Sequence, residues 1–208
     1  MIRLFILISF TIIFSSSYAQ RFEGGLLGGF NATQVDGDIY RGFHKPGILA
    51  GAFVQTDIAP AVFAGFEIKY SQKGSRNKID PKKTDIEKYI MRLGYVELPI
   101  FIGFRANDRG SIIGGISTGY LVHANEWRDN DPLPKEDIHA FKNFDVQPFI
   151  GFQFDMLDNL TIDMRFAYSI LSIRGQPGEN ATTSYKANNQ FNNVISLAAY
   201  YRINPGRY

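Results

Sequence analysis

The chain has 208 residues, 45% of them hydrophobic and 14% aromatic, with 22 lysines and arginines against 20 aspartates and glutamates. A formal charge of +2 offers no basic stripe for nucleic acid, and the absence of cysteine excludes disulfide staples and thiol chemistry. Stability therefore has to come from a closed sheet, a core or a membrane.

Residues 1–19 read as a secretory signal peptide. Arg3 precedes an apolar stretch from Leu4 to Phe14, and Ser17-Tyr18-Ala19 supplies the small residues expected before a cut. That stretch is too short to be a membrane anchor, since a spanning helix needs roughly 20 apolar residues. Residues 20–208 are then one mature domain.

Beyond residue 20 the periodicity is that of strands. Eight are predicted, at 22–31, 47–57, 61–73, 89–105, 111–124, 144–156, 160–173 and 191–203. The first, second and fifth are rich in glycine ("EGGLLGG", "GILAGAF", "IIGGISTGY"), and their faces stay unassigned; glycine there marks bends, bulges or room for large neighbours. The others alternate. Strand 61–73 sets Val62, Phe66, Ile68 and Tyr70 against Glu67, Lys69 and Ser71. Strand 89–105 sets Val96, Leu98, Ile100, Ile102 and Phe104 against Glu97 and Arg105. In 144–156, Phe144, Ile150, Phe152 and Phe154 oppose Asp145, Gln147, Gln153 and Asp155. In 160–173, Leu160, Ile162, Met164, Phe166 and Tyr168 oppose Asp163 and Arg165, and in 191–203, Ile195, Leu197, Tyr201 and Ile203 oppose Asn192, Ser196 and Arg202.

The connections sort by length. Those after the second, fourth and sixth strands are short, whereas those after the first, third, fifth and seventh are long. Short turns at one end and long loops at the other are the pattern of outer-membrane barrels. A soluble sandwich has no reason to sort its loops this way, and a lipocalin-like barrel would turn its apolar rows inward. The fold class expected is all-β, an eight-stranded antiparallel up-and-down transmembrane barrel. Its apolar rows meet outer-membrane lipid, its long loops are extracellular and both termini are periplasmic. The lumen then holds Glu67, Lys69, Glu97, Arg105, Asp145, Asp155, Asp163, Arg165 and Arg202. Five acids face four bases in a space that side chains can fill, which predicts a paired polar plug in place of a conduction path.

The segments "GGFNATQVDGDIYRGFHKPGILAGAF" and "YVELPIFIGF", with Tyr95, Glu97, Leu98 and Pro99 following a hairpin that carries Gly47 and Gly51, resemble the PorT-like family of small outer-membrane β-barrel proteins of the Bacteroidota type. The resemblance covers nearly the whole mature chain. It implies a barrel scaffold in the outer membrane with no shared catalytic residues, and its namesake is linked to protein secretion and gliding machinery. The terminal "RINPGRY" departs from a barrel that ends on a strand aromatic.

Candidate chemistry is thin. His44, His123 and His139 have no metal-ligand spacing, and no cofactor is called for. A lipid hydrolase would need a Ser–His pair with a carboxylate, for which His123 with Ser117 or Glu126 is the candidate, six residues apart on one strand. "DND" at 129–131 and "DGD" at 36–38 lack the EF-hand spacing and read as solvated loops. Asn31, Asn159 and Asn180 begin sequons common by chance. The connection carrying Lys73, Arg76, Lys78, Lys82, Lys83 and Lys88 is net basic, and the one with Glu126, Asp129, Asp131, Glu136 and Asp137 is net acidic; the first could meet anionic lipid heads, although solvation accounts for both. The expected function is a non-enzymatic envelope scaffold or a component of a surface or secretion assembly with an unnamed protein partner. A narrow channel or small-solute barrel, and more remotely a lipid-modifying enzyme, are the alternatives.

Overall fold

The computed structural model describes residues 22–38, 40, 42–77, 88–133, 140–175 and 189–203; the expected signal peptide lies outside them. Eight long strands form the molecule: β1 (Phe22–Asp36), β2 (Lys45–Ala59), β3 (Val62–Arg76), β4 (Tyr89–Arg105), β5 (Gly110–Arg128), β6 (Phe144–Leu157), β7 (Leu160–Tyr168) and β8 (Asn189–Arg202). Each pairs antiparallel with the next, and β8 returns to β1 from Gly25↔Arg202 to Asp36↔Phe191, so the sheet closes into a barrel. Closure satisfies the backbone within the sheet and leaves no open edge, which is what a bilayer demands of strands. Two-residue segments, Asp131–Pro132 on β5 and Arg174–Gly175 on β8, extend the rim.

The apolar rows face out. Phe30, Ile100 and Ile150 are 68%, 64% and 61% exposed, while the residues between them point into the barrel. The glycine-rich strands follow the same rule: β1 turns Leu27, Asn31, Thr33 and Val35 inward, β2 turns Leu49, Phe53 and Gln55 inward, and β5 turns Ile113 and Ser117 inward.

Strand ends differ from expectation at the long-connection end. β1, β2, β3 and β5 run further than their apolar stretches, because polar residues such as Gln34, Gln72, Lys73 and Asn125 keep the ladder going beyond the lipid-facing band. β7 stops at Tyr168 and not at 173. There the chain bends over the barrel mouth, with Ser169 N donating to Asn192 O at 2.9 Å and Ile173 N to Gln190 O at 2.8 Å, and Ile173 is fully buried.

Inside, apolar clusters alternate with charge. Val35, Tyr89, Met91, Leu93, Tyr95 and Ile173 pack at the long-connection end, and Phe63, Phe101, Ile113 and Phe149 pack toward the short turns. Two glycines make the second cluster possible. Gly65 lies opposite Phe101 and Gly103 opposite Phe63 across β3 and β4, and a Cβ at either would stand 2.2 and 2.1 Å from the facing ring. Because Phe101 is edge-on to both Phe63 and Phe149, the ring has nowhere to go. Gly65→Val is expected to lower unfolding stability in lipid by about 1–3 kcal/mol, whereas Gly114→Ala, outward-facing with its nearest neighbour at 3.8 Å, should leave it unchanged. Equal urea midpoints for the two variants would contradict this packing.

Candidate functional site

The lumen is built in tiers. At the short-turn end Arg105 Nη2 pairs with Asp57 Oδ1 at 2.6 Å and Arg202 Nη2 with Asp155 Oδ1 at 2.7 Å; Arg202 Nε also approaches Glu23 at 3.6 Å. Glu23, Arg105, Asp155 and Arg202 line a solvent-open vestibule of about 560 Å³. Arg105, Asp155 and Arg202 therefore sit at the mouth, apart from the other six charges expected in the lumen.

The next tier is centred on Arg165. Its Nη2 and Nη1 reach Glu67 at 2.6 and 3.1 Å, and its Nε reaches Asp163 Oδ1 at 2.8 Å. It also donates to the Tyr200 hydroxyl at 2.8 Å, and Tyr200 in turn donates to Glu67 at 2.8 Å. The guanidinium lies over the rings of Phe149 at 4.8 Å and Phe101 at 5.0 Å, and Gln153 satisfies Asp163 from the other side at 2.8 Å. Fork-to-carboxylate pairing of this kind is the strong form of the charge-assisted hydrogen bond.

Lys69 links this tier to the one above, 3.6 Å from Glu67 and 3.7 Å from Glu97. The upper tier is centred on Lys73, whose Nζ contacts Glu97 at 2.5 Å, Asp145 at 3.2 Å and Gln147, over the Tyr95 ring at 4.8 Å. Asn192 Nδ2 donates to Asp145 at 2.8 Å. At the rim, Arg174 grips Glu126 with two bonds of 2.9 and 2.8 Å, donates to Gln190 at 2.7 Å, and shares Glu126 with the Tyr89 hydroxyl.

Sequence patterning missed Lys73, Glu126 and Arg174, which it assigned to loops. Lys73 carried a usable signal, since it continues the alternation of Glu67, Lys69 and Ser71. Glu126 falls beyond a register shift at Gly94/Tyr95, opposite β5, that breaks the count, and Arg174 lies past the end of β7, so neither could be read from alternation. With them included, the buried charges among the described residues balance: Glu67, Glu97, Glu126, Asp145 and Asp163 against Lys45, Lys69, Lys73, Arg165 and Arg174.

The catalytic candidates do not assemble. Ser117 is 5% exposed and points inward, whereas His123 is exposed on the outer wall, stacked near Tyr70, and Glu126 is engaged by Arg174. "DND" is a tight turn in which Asp129 and Asn130 have φ of 50° and 75° and Asp129 Oδ1 accepts from Lys88 N at 2.9 Å. In "DGD", Asp36 takes a bond from Gln34 and Asp38 one from Tyr40 N at 2.9 Å. Asn31 is buried within the barrel, bonded to Ser71 and Ser196. His139 and Asn180 lie outside the described residues.

A closed antiparallel barrel with an apolar exterior and a charged interior defines an integral outer-membrane protein. Residues 14–174 match the outer membrane protein beta-barrel domain family, and the chain belongs to it. Among solved structures it is similar to Ail, the attachment invasion locus protein of Yersinia pestis, at 16% identity over 87% of this chain and 98% of that one, with a TM-score of 0.53. The complex of Ail with the heparin analogue sucrose octasulfate aligns at 14% identity over 88% and 99%, with a TM-score of 0.52. At these identities the likeness is one of fold. No curated protein matches the chain.

Two tests follow from the lumen. Arg165→Leu leaves Asp163 without its cation and Glu67 with Lys69 alone and should cost about 3–5 kcal/mol, more than Asp163→Leu, after which the Arg165–Glu67 fork survives. The double substitution should cost less than the sum, because Glu67 keeps Lys69; strict additivity in detergent refolding would contradict the network. Outside the membrane, burial pushes the Asp38 carboxyl up to about 6, against the opposing pull of the Ser75 hydroxyl and the Tyr40 amide. Between its ordinary 3.8 and about 6 the folded state holds a proton that the unfolded state has lost, so stability should fall as pH rises through that window. Asp38→Asn should remove this slope from urea midpoints taken at pH 4 to 7, and an unchanged slope would mean Asp38 is not its source.

Proposed function

We propose that this protein is a PorT-like, non-enzymatic scaffold of the outer membrane that presents its long connections at the cell surface, keeps both termini in the periplasm and works through a protein partner of an envelope or secretion assembly. The observation that carries the reading is the charge-balanced plug. Ten buried charges, five of each sign, fill the lumen among the described residues, and each of Arg165, Lys73 and Arg174 is bonded to at least one carboxylate. Opening a water path would strip those groups of partners at several kcal/mol each. A barrel filled in this way offers its rims and walls for use and leaves the interior as support.

The orientation follows from loop sorting. The connections 60–61, 106–109 and 158–159 meet the start of β1 and the end of β8 at one end, and the long connections meet at the other. Short turns on the periplasmic side are the rule for such barrels. Asn107 and Asn130 are exposed at opposite ends. In whole cells, a cysteine at Asn130 should react with an impermeant thiol reagent and one at Asn107 should not, and photocrosslinking from position 130 in intact envelopes should capture a discrete protein partner. Labelling only at Asn107 would invert the orientation; a monomer that yields no crosslink from any rim position would defeat the assembly reading.

A further inference from the structure

We propose that the outer face of β3–β5, just beyond the apolar band at the long-connection end, binds the phosphate group of an outer-leaflet lipid through Arg92 and Arg76. The leaflet assignment rests on the orientation proposed above; the site itself does not.

The alternation that makes the wall apolar changes character at one level. On β3 the outward row runs Phe66, Ile68, Tyr70 and then reaches Arg76; on β4 it runs Ile100, Leu98, Val96 and then reaches Arg92; on β5 it ends with Tyr120, Val122 and Trp127. The register makes these ends neighbours. Arg92 lies opposite Gly74 on one side and Asn125 on the other, and Arg76 and Trp127 both lie opposite Ile90. Arg76 is thus a diagonal neighbour of Arg92 on the same face, with the side-chain-free position of Gly74 between them.

The site is built and not a chance scatter of charge. The Arg92 guanidinium lies 4.7 Å above the Trp127 ring, which orients its donor fork before any ligand arrives and lowers the entropy lost on binding. Beneath it, the register shift at Gly94/Tyr95 turns His123 outward. The imidazole lies over Gly94, where a Cβ would stand 2.2 Å from the ring, and reaches the Tyr70 hydroxyl at 3.5 Å. The level therefore has aromatic rings facing the lipid and cations just above them, the arrangement of a membrane interface belt.

The charge on this face is one-sided. Among the described residues no carboxylate projects from it: Glu97 and Glu126 belong to the same strands but point inward and are taken by Lys73 and Arg174. Arg76 and Arg92 place two cations at this corner of the wall; Lys45, close enough to feel both, is itself buried on the lumen side. Neither arginine forms an ion pair with a described carboxylate. A phosphate at the headgroup level complements the two arginines and matches the planar guanidinium fork, while the lipid's acyl chains lie along the band formed by Phe66, Ile68, Val96 and Leu98.

Trp127 is the single tryptophan of the chain, so its emission reports on the site directly. The full chain, reconstituted in phosphatidylcholine vesicles, would be titrated with bisphosphorylated lipid A and separately with the same lipid dephosphorylated. Phosphorylated lipid should give a saturable change in Trp127 emission at low mole fraction, and dephosphorylated lipid should give none. Arg76→Gln, which leaves the Arg92–Trp127 stack in place, should move the midpoint about tenfold or more to higher lipid, and Arg92→Gln should do at least as much, with heat-dependent gel mobility showing that both barrels remain folded. A native midpoint in both variants, or an equal response to dephosphorylated lipid, would overturn the site. Reproduction of the change by inorganic phosphate alone would make the ligand a free anion and overturn the lipid assignment. A successful titration with Asn130 shielded in whole cells would place the same site in the inner leaflet and overturn the outer-leaflet assignment alone.

Discussion

An eight-stranded barrel has room inside for side chains but not for bulk water, so each charge that the sheet turns inward has to find its opposite within the wall. This constraint organises the whole interior. Arg165 on β7 reaches Glu67 on β3, 98 positions away in sequence and on the facing wall. Lys73 on β3 reaches Asp145 on β6, 72 positions away, and Arg174 beyond β7 reaches Glu126 on β5. These contacts act as struts across the lumen. Each makes the position of one wall depend on the other, so that removal of a single partner weakens the pairing of charges held away from bulk water.

Much of this was legible in the residues. Strict alternation around Asp163 and Arg165, and in the rows through Glu67, Glu97 and Asp145, follows directly from strands that separate lipid from a polar interior, and loop sorting gave the topology. The glycine-rich strands were opaque for a physical reason: Gly25 on β1 and Gly115 on β5 lie opposite Phe53 and Phe101, whose side chains occupy the space a Cβ would take, which is a property of register and not of local sequence. The upper tier was opaque for another. Lys73 stood among basic residues that resemble a solvated loop, the register shift at Gly94/Tyr95 breaks the alternation count, and Arg174 belongs to a segment folded over the mouth. The three mouth residues, Arg105, Asp155 and Arg202, were in phase with the lumen but too close to the turns to be buried.

The outside of the barrel is equally ordered. Outer-membrane family membership and the Ail-like fold account for the band of Ile, Leu and Phe, which is the part of the chain in contact with lipid. On the outer face of β3–β5, Arg76 and Arg92 stand just beyond that band, and the register shift that carries Glu126 inward turns Trp127 outward beneath Arg92. One irregularity thus sets the rim of the plug on the inner face and seats His123 on the outer face.

A lumen plugged by balanced, paired charges should carry no current. Planar-bilayer recording of the purified native barrel tests it most directly. A silent bilayer is the predicted result at any voltage the membrane tolerates, with discrete current steps appearing once the Arg165 strut is removed by Arg165→Leu; steady, ion-selective steps from the native protein would contradict the account.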